Sequence, residues 1–402
     1  DFRIADEGEM RLLKQDTVEE LLEAAHQEKQ PEFLRFAESY GSGNRGSGIG
    51  ELILKLYEYA VASPQPEKWL KTCMEMYELP QGASYSDFSG ADAILEEWKM
   101  TVSDCKKQIR KALDLSLSPA GPQAYEEALH SDERLLQSLQ ECRSMEAFEE
   151  QITELSFQRL PSRRSRLMAG ADEELCERGM ELRNDVKETL KGLARQYFQF
   201  PGELVMEQMR DTADSVRVYV ELTLQFMKRL EEKKRKKNIL DFADQEHLAL
   251  RILTREENGE LIPSETADIF ADYYEEIMVD EYQDSNLVQE AILSSVSKSR
   301  KGRENQFMVG DVKQSIYRFR RAEPGLFLQK YKQYEDGAKG KRIDLHQNFR
   351  SRRSVIDPVN EIFQRIMCRD LGGIEYDEAA RLQAGASYPD NETCQAELLL
   401  LS

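Results

Sequence analysis

Ile277-Met278-Val279-Asp280-Glu281-Tyr282-Gln283-Asp284-Ser285 is the stretch whose reading decides the fold. A short apolar run ends on an acidic pair, the pattern of a buried strand that delivers carboxylates at its carboxyl end. The texture repeats downstream. Gln306-Phe307-Met308-Val309 runs into Gly310-Asp311-Val312-Lys313-Gln314-Ser315-Ile316-Tyr317-Arg318-Phe319-Arg320, and Ile343-Asp344-Leu345 runs into His346-Gln347-Asn348-Phe349-Arg350-Ser351. Helical stretches at 286–298 and 352–368 flank these runs. Strand, helix, strand predicts a parallel α/β sheet, in which ligands bind beyond the carboxyl ends of the strands. The polar residues after each run are therefore the candidate functional residues.

Their types suit nucleotide and nucleic-acid chemistry. Asp280 can hold Mg2+ through water, because that ion keeps much of its hydration and prefers oxygen ligands. Glu281 beside it can orient and deprotonate an attacking water. Gly310 allows a tight turn straight after a strand, and Gln314 can hydrogen-bond a phosphate oxygen or the water. Tyr317 and Phe319 alternate with Arg318 and Arg320, which suits single-stranded nucleic acid: rings stack on bases and guanidinium groups meet phosphates. Arg350, next to Phe349, can stabilise charge on a transferring phosphoryl group. Each signal is weak alone. Asp-Glu pairs and arginines abound on a surface this charged, and the lesser alternative for Tyr317 or Phe319 is packing in a core.

Working outward, residues 1 to about 240 read as helices almost throughout. Thr17-Val18-Glu19-Glu20 has capping-box spacing and predicts a helix start. Amphipathic stretches cover 51–62, 91–114, 123–155, 172–196 and 203–237. Gly41-Ser42-Gly43-Asn44-Arg45-Gly46 spells a dinucleotide fingerprint, but the residues before it read as helix, where that site needs a strand. A loop between helices is expected instead. No G-x-x-x-x-G-K-[ST] occurs in the sequence.

The 402 residues carry a formal net charge of −20, so the average surface repels nucleic acid and any binding must be local. Two basic patches stand out, Arg163-Arg164-Ser165-Arg166 and Lys233-Lys234-Arg235-Lys236-Lys237, each more simply read as a solvated face. The 6 cysteines form no C-x-x-C pair and the 4 histidines no ligand motif, so a metal would be held by carboxylates. No apolar stretch is long enough to span a membrane. The chain opens on Asp1 and closes on Leu398-Leu399-Leu400-Leu401-Ser402, and both ends are expected to be cuts inside a longer protein.

Taken together, the runs are specific. With 34 residues from Asp280 to Gln314 and 36 more to Arg350, they resemble motifs II, III and IV of superfamily-one helicases of the UvrD, Rep and PcrA kind, densely over 277–356. Ile239-Leu240-Asp241-Phe242-Ala243-Asp244 resembles the helix-starting segment that these enzymes carry before motif II. Val312-Lys313 in the second run, and the opening Asp1-Phe2-Arg3-Ile4-Ala5-Asp6-Glu7-Gly8-Glu9-Met10, look like AddA of the AddAB-type helicase–nucleases, with RecB the nearest rival.

The resemblance implies an α/β P-loop NTPase (RecA-like) motor segment with a large all-helical insertion domain. Residues 1–210 would be the insertion, 211–340 the latter part of the first motor domain with motifs II and III, and 341–402 the start of the second with motif IV. It implies ATP and Mg2+ as cofactors of the complete protein. The implied partners are single- and double-stranded DNA and AddB, and the implied location is cytoplasmic. Asp280 would bind the metal and Glu281 activate water. Gln314 would sense the γ-phosphate and couple it to DNA, while Tyr317, Phe319 and Arg320 would contact single strands. Phe349 would stack near the adenine and Arg350 reach the γ-phosphate. Many relatives have Tyr at Phe349, Trp at Phe319 and Gly at Arg321. The phosphate-binding loop would precede Asp1, and later motifs with a nuclease domain would follow Ser402. The competing expectation is a helical scaffold or DNA-binding module with a non-hydrolysing motor remnant. A nuclease site within these residues is not recognisable.

Overall fold

The computed structural model describes residues 2–41, 48–162, 168–317, 319, 321–334, 337, 340–367, 374, 376–378, 380–389, 396–397 and 399. In chain order the elements are β1 (Arg3–Ile4), α1 (Glu7–Glu28), α2 (Pro31–Tyr40), α3 (Gly48–Ala60), α4 (Pro66–Glu75), α5 (Ala91–Leu117), α6 (Glu126–Gln140), α7 (Met145–Thr153), α8 (Glu173–Tyr197), α9 (Gly202–Asp211) and α10 (Ala213–Lys237). There follow β2 (Ile239–Leu240), α11 (Phe242–Leu253), β3 (Thr254–Glu257), β4 (Glu260–Pro263), α12 (Glu265–Tyr273), β5 (Ile277–Val279), α13 (Leu287–Ser295), β6 (Gln306–Met308), α14 (Pro324–Gln333), β7 (Gln347–Asn348), α15 (Arg353–Ile366) and β8 (Gln383–Ala384). The chain divides into two compact units, Asp1–Glu23 with Ser47–Trp69 and Thr223–Ser402, and Ala24–Gly46 with Leu70–Leu222. The sequence groups 1–210 as one helical block. Instead Asp1–Glu23 and Ser47–Trp69 fold with the strands, because Arg3–Ile4 pairs in parallel with Ile239–Leu240 and so draws its flanking helix along.

The second unit is helical. On α5, Leu95, Trp98, Val102, Cys105, Ile109 and Ala112 recur every three or four residues and are all buried, so one stripe faces α6 and α8. Trp98 gathers Phe148, Tyr197 and Phe198 around it at centroid distances of 5.3, 5.4 and 4.8 Å. Inside this core lies an ion pair. Arg183 on α8 grips Asp132 on α6 with two nitrogens and donates a third bond to the Gln158 carbonyl at 2.7 Å. No helix among the described residues is long and apolar enough to cross a membrane.

The first unit carries the strands. β5 and β6 are parallel, with Ile277, Met278 and Val279 opposite Gln306, Phe307 and Met308. α13 makes the crossover that parallel pairing requires. Met278 and Phe307 expose one face of this pair. β3 and β4 form an antiparallel hairpin turned by Asn258 and Gly259, both at positive φ (52° and 81°), the geometry that Asn-Gly favours.

Several sequence expectations change. Thr17 does not start a helix: α1 begins at Glu7, where Asp6 accepts from the Glu9 amide at 2.8 Å, and buried Thr17 bonds back to the Leu13 carbonyl at 2.6 Å. Residues 123–155 form two helices rather than one, α7 being restarted by Ser144, which caps Ala147 at 3.2 Å. Ile343-Asp344-Leu345 is not a strand. Ile343 and Leu345 are exposed, and pairing begins only at Gln347–Asn348, which adds in parallel to Gln383–Ala384. An alternating pattern makes a strand only where a partner offers backbone groups.

The 42–47 segment lies outside the described residues. The helix α2 leads into it and α3 follows, so a helix stands where a dinucleotide site needs a strand. Arg163 to Arg166 also lie outside the described residues. Of the lysine run, Lys233 pairs with Glu20 at 2.8 Å, and buried Lys234 bonds Asp241 and Asp244, the capping box of α11. Lys234 thus ties the end of α10 to the start of α11.

Candidate nucleotide and nucleic-acid site

The strand ends build the site. Asp280 follows β5, and its Oδ1 accepts from the Glu281 amide at 3.0 Å. Glu281 sits in the left-handed region (φ 48°, ψ 42°), a conformation that costs a non-glycine residue about 1 kcal/mol or more. The turn is held from both sides. The Tyr282 amide donates to the Val309 carbonyl at 2.9 Å, and Val309 donates to Val279 at 2.9 Å, so the residues after β5 stay registered on β6. Tyr282 is buried, with its hydroxyl bonded to Glu290. Burial and then that carboxylate push its phenol far above the usual range.

Val279, Asp280, Glu281, Asp284 and Ser285, with Gln289, Ile292 and Leu293 of α13, line an open pocket of about 450 Å³. Asp284 keeps one carboxylate oxygen, Oδ1, buried with no hydrogen-bond partner. Burial, then the neighbouring Glu281 charge, push its carboxyl above the ordinary value, against the pull of a bond from Gln283. Among the described residues no three metal-ligating side chains converge as a closed cage. A hydrated Mg2+ does not need one, since it takes one or two carboxylates and completes its shell with water and phosphate oxygens. Clustered carboxylates with an unsatisfied oxygen fit that donor set.

After β6, Gly310 approaches the acidic turn so closely that a Cβ there would lie 2.5 Å from the Gln283 side-chain oxygen. Asp311, Lys313 and Gln314 then form a tight knot. Gln314 donates its side-chain amide to Asp311 at 3.1 Å, and Lys313 pairs with the other oxygen at 2.8 Å. Tyr317 and Phe319 are both exposed, Phe319 by 71%, with ring centroids 5.8 Å apart. The alternative that Phe319 packs in a core does not describe this structure. Arg320 and Arg318 lie outside the described residues.

Arg321 takes the left-handed backbone that favours glycine, at φ 65°. Its guanidinium stacks 3.6 Å from the Tyr59 ring centroid and lies 3.6 Å from Glu58, both on α3. A cation–π contact of about 0.5–2 kcal/mol is of the size needed to offset the left-handed backbone.

The third cluster is separate in the chain. Asn348 turns the backbone after β7 by accepting from the Arg350 and Ser351 amides at 3.0 and 2.8 Å. Phe349 and Arg350 are exposed, and the Tyr388 hydroxyl ties their carbonyls at 2.9 Å each. Asp280, Glu281 and Gln314 thus share one neighbourhood, Tyr317 and Phe319 adjoin it in sequence, and Phe349 and Arg350 are presented on their own turn. Sequence reasoning assigned nothing to Gln283, Asn348 or Tyr388. The only signal for Gln283 was its fixed place in D-E-x-Q-D.

A profile of the UvrD/REP helicase N-terminal domain matches residues 1–335. The chain belongs to the UvrD/REP helicase family. This family carries the P-loop NTPase fold, which accounts for the parallel β5–α13–β6 unit with its acidic turn. Among relatives of this UvrD/REP-family chain, proteins named as the A subunits of ATP-dependent helicase/nucleases are similar along its whole length. That of Lachnoclostridium phytofermentans is 38% identical over 396 residues, covering 97% of this chain and 28% of the relative. That of Bacillus velezensis is 36% identical over 406 residues, covering 100% and 32%. That of Geobacillus thermodenitrificans is 39% identical over 407 residues, again covering 100% and 32%. The chain therefore spans about a third of the length of the curated relatives it matches.

Proposed function

We propose that this chain is the middle of the motor of an ATP-dependent DNA helicase of the AddA type, acting in double-strand break repair and recombination. The carrying observation is the meeting of the Asp280-Glu281 turn and the Gly310–Gln314 turn at the ends of two parallel strands. In this reading Asp280 holds Mg2+ and Glu281 accepts the proton of the attacking water. A Mg2+ ion held there would supply positive charge against the phosphates of the nucleotide. Gln314 bonds the γ-phosphate or the water, Arg350 stabilises charge on the transferring group, and Phe349 stacks near the adenine. Residues 24–46 and 70–222 are then the helical insertion of the first motor domain, and residues from 341 onward begin the second. An AddB-type partner, a nuclease domain elsewhere in the protein and a cytoplasmic location belong to the same reading; the relatives' names, as A subunits of helicase/nucleases, support a nuclease activity and a partner subunit.

Tyr317 and Phe319, with Arg320, supply the single-strand surface. Phe319→Ala in the full-length protein is expected to weaken single-strand affinity by roughly 1–3 kcal/mol, with little change in salt slope, because stacking releases few counterions. Fluorescence anisotropy titrations at several salt concentrations check this. An unchanged affinity removes the ring from the DNA surface.

The 402 residues by themselves are expected neither to bind ATP tightly nor to hydrolyse it. Without a phosphate cradle of backbone amides and lysine, Asp280, Glu281 and Asp284 would face the triphosphate as carboxylates alone. Calorimetric titration with Mg2+-ATP, and phosphate release with single-stranded DNA, test this. Micromolar binding or DNA-stimulated release would overturn it.

A further inference from the structure

Gln283 is 1% exposed and lies between the two turns of the site. Its Nε2 donates to Glu281 Oε2 at 2.6 Å, and its Oε1 accepts from the Asp311 amide at 3.0 Å. Asp311 in turn bonds Gln314 twice: its carbonyl accepts the Gln314 amide at 2.8 Å, and its carboxylate accepts the Gln314 side chain at 3.1 Å. An unbroken line of hydrogen bonds therefore runs Glu281–Gln283–Asp311–Gln314. The geometry also explains Gly310, since any side chain there would strike the Gln283 oxygen or the Phe327 ring.

We propose that Gln283 is a positioning residue that aligns the Glu281 carboxylate and ties it to the Gln314 turn, so that movement at the DNA side is felt at the base. The primary amide suits this task because it donates and accepts at once, and burial keeps water from replacing either bond. Glutamate there would repel Glu281, and a hydrocarbon would break both links. Shortening the side chain by one methylene would leave it unable to span both partners. Tyr317 and Phe319 follow Gln314 by three and five residues, so DNA stacked on those rings pulls on the same turn.

The proposal rests on Glu281 being the base. The experiment uses the full-length protein and compares Glu281→Gln, Gln283→Met and Gln283→Asn. Methionine conserves volume, and asparagine keeps an amide if methionine is poorly tolerated. Both Gln283 variants are expected to lower kcat for ATP by about 10–100-fold, as a small misplacement of a catalytic group does. KM should stay within about twofold, since nucleotide binding is untouched. The ratio of DNA-stimulated to basal hydrolysis should collapse toward one. Independently of turnover, the Asp311 amide loses its acceptor, so a peptide covering 308–317 should exchange its amide hydrogens faster, measured by mass spectrometry. A kcat within about threefold of wild type, a preserved stimulation ratio, or unchanged exchange at 308–317 overturns the positioning role. If Glu281→Gln itself retains turnover, the assignment of the base fails, which is a different result from silent Gln283 variants beside an inactive Glu281→Gln.

Discussion

Glu281→Gln in the full-length protein is expected to retain ATP binding and lose steady-state hydrolysis by about 100-fold or more, the usual contribution of a general base. The substitution changes one oxygen for an amide nitrogen and leaves the side-chain length alone. The left-handed backbone at φ 48° and the register of Tyr282 on Val309 do not depend on the charge, so the turn should persist. The carboxylate also helps to keep Asp284 above its ordinary range, and removing it relieves that repulsion. Binding therefore holds or improves while proton abstraction stops. Equilibrium titration with a fluorescent nucleotide and a coupled phosphate assay measure the two separately. Hydrolysis within about threefold of wild type would remove Glu281 from catalysis and favour the non-hydrolysing scaffold reading.

Asp132→Ala is expected to destabilise the helical unit by about 3–5 kcal/mol, the penalty for leaving a buried charge unpaired. Both partners of this pair are essentially sealed from water, Arg183 at 1% and Asp132 at 1% exposure. Arg183 loses its two bonds to the carboxylate and retains only the Gln158 carbonyl. Replacing both members together, Arg183→Met with Asp132→Leu, is expected to be nearly neutral, because the desolvation penalty disappears with the charges. Urea unfolding followed by hydrogen exchange in peptides from α6 and α8 distinguishes these cases. A loss under about 1 kcal/mol for the single variant would mean that water reaches the arginine. The contrast between single and double variants also isolates the ion pair from ordinary packing loss around Trp98 and Phe148.

Motif density made the candidate site legible in the sequence. Asp280, Glu281 and Gln314 each follow a short apolar run, and the runs at 277–279 and 306–308 are the strands observed. The helices α5 and α8 follow from periodicity in the same local way, as the stripe on α5 shows, whereas the breaks between α6 and α7 and between α9 and α10 do not. Local pattern misled where the decisive partner was distant. Thr17 has the spacing of a cap, yet Asp6 starts the helix, and the Thr17 hydroxyl satisfies itself on Leu13. Ile343 and Leu345 alternate like a strand, but the ladder forms at Gln347–Asn348, where Gln383–Ala384 supplies the hydrogen bonds. The lysine run reads as a solvated face, but Lys234 is buried against Asp241 and Asp244, and Lys233 pairs with Glu20.

What the sequence determined by itself was the list of chemical groups and their order: an acidic pair, a glutamine turn, an aromatic stretch and an Asn-Phe-Arg turn. These depend on residue type and on periods of two and 3.6 residues, which are local. Only the tertiary structure decided which groups touch. Gln283 reaches Asp311 across 28 residues of chain, and Arg321 reaches Tyr59 across more than two hundred. Such contacts are set by how helices and strands pack, and a hydrogen bond between distant residues leaves no periodic trace in the sequence that encodes it.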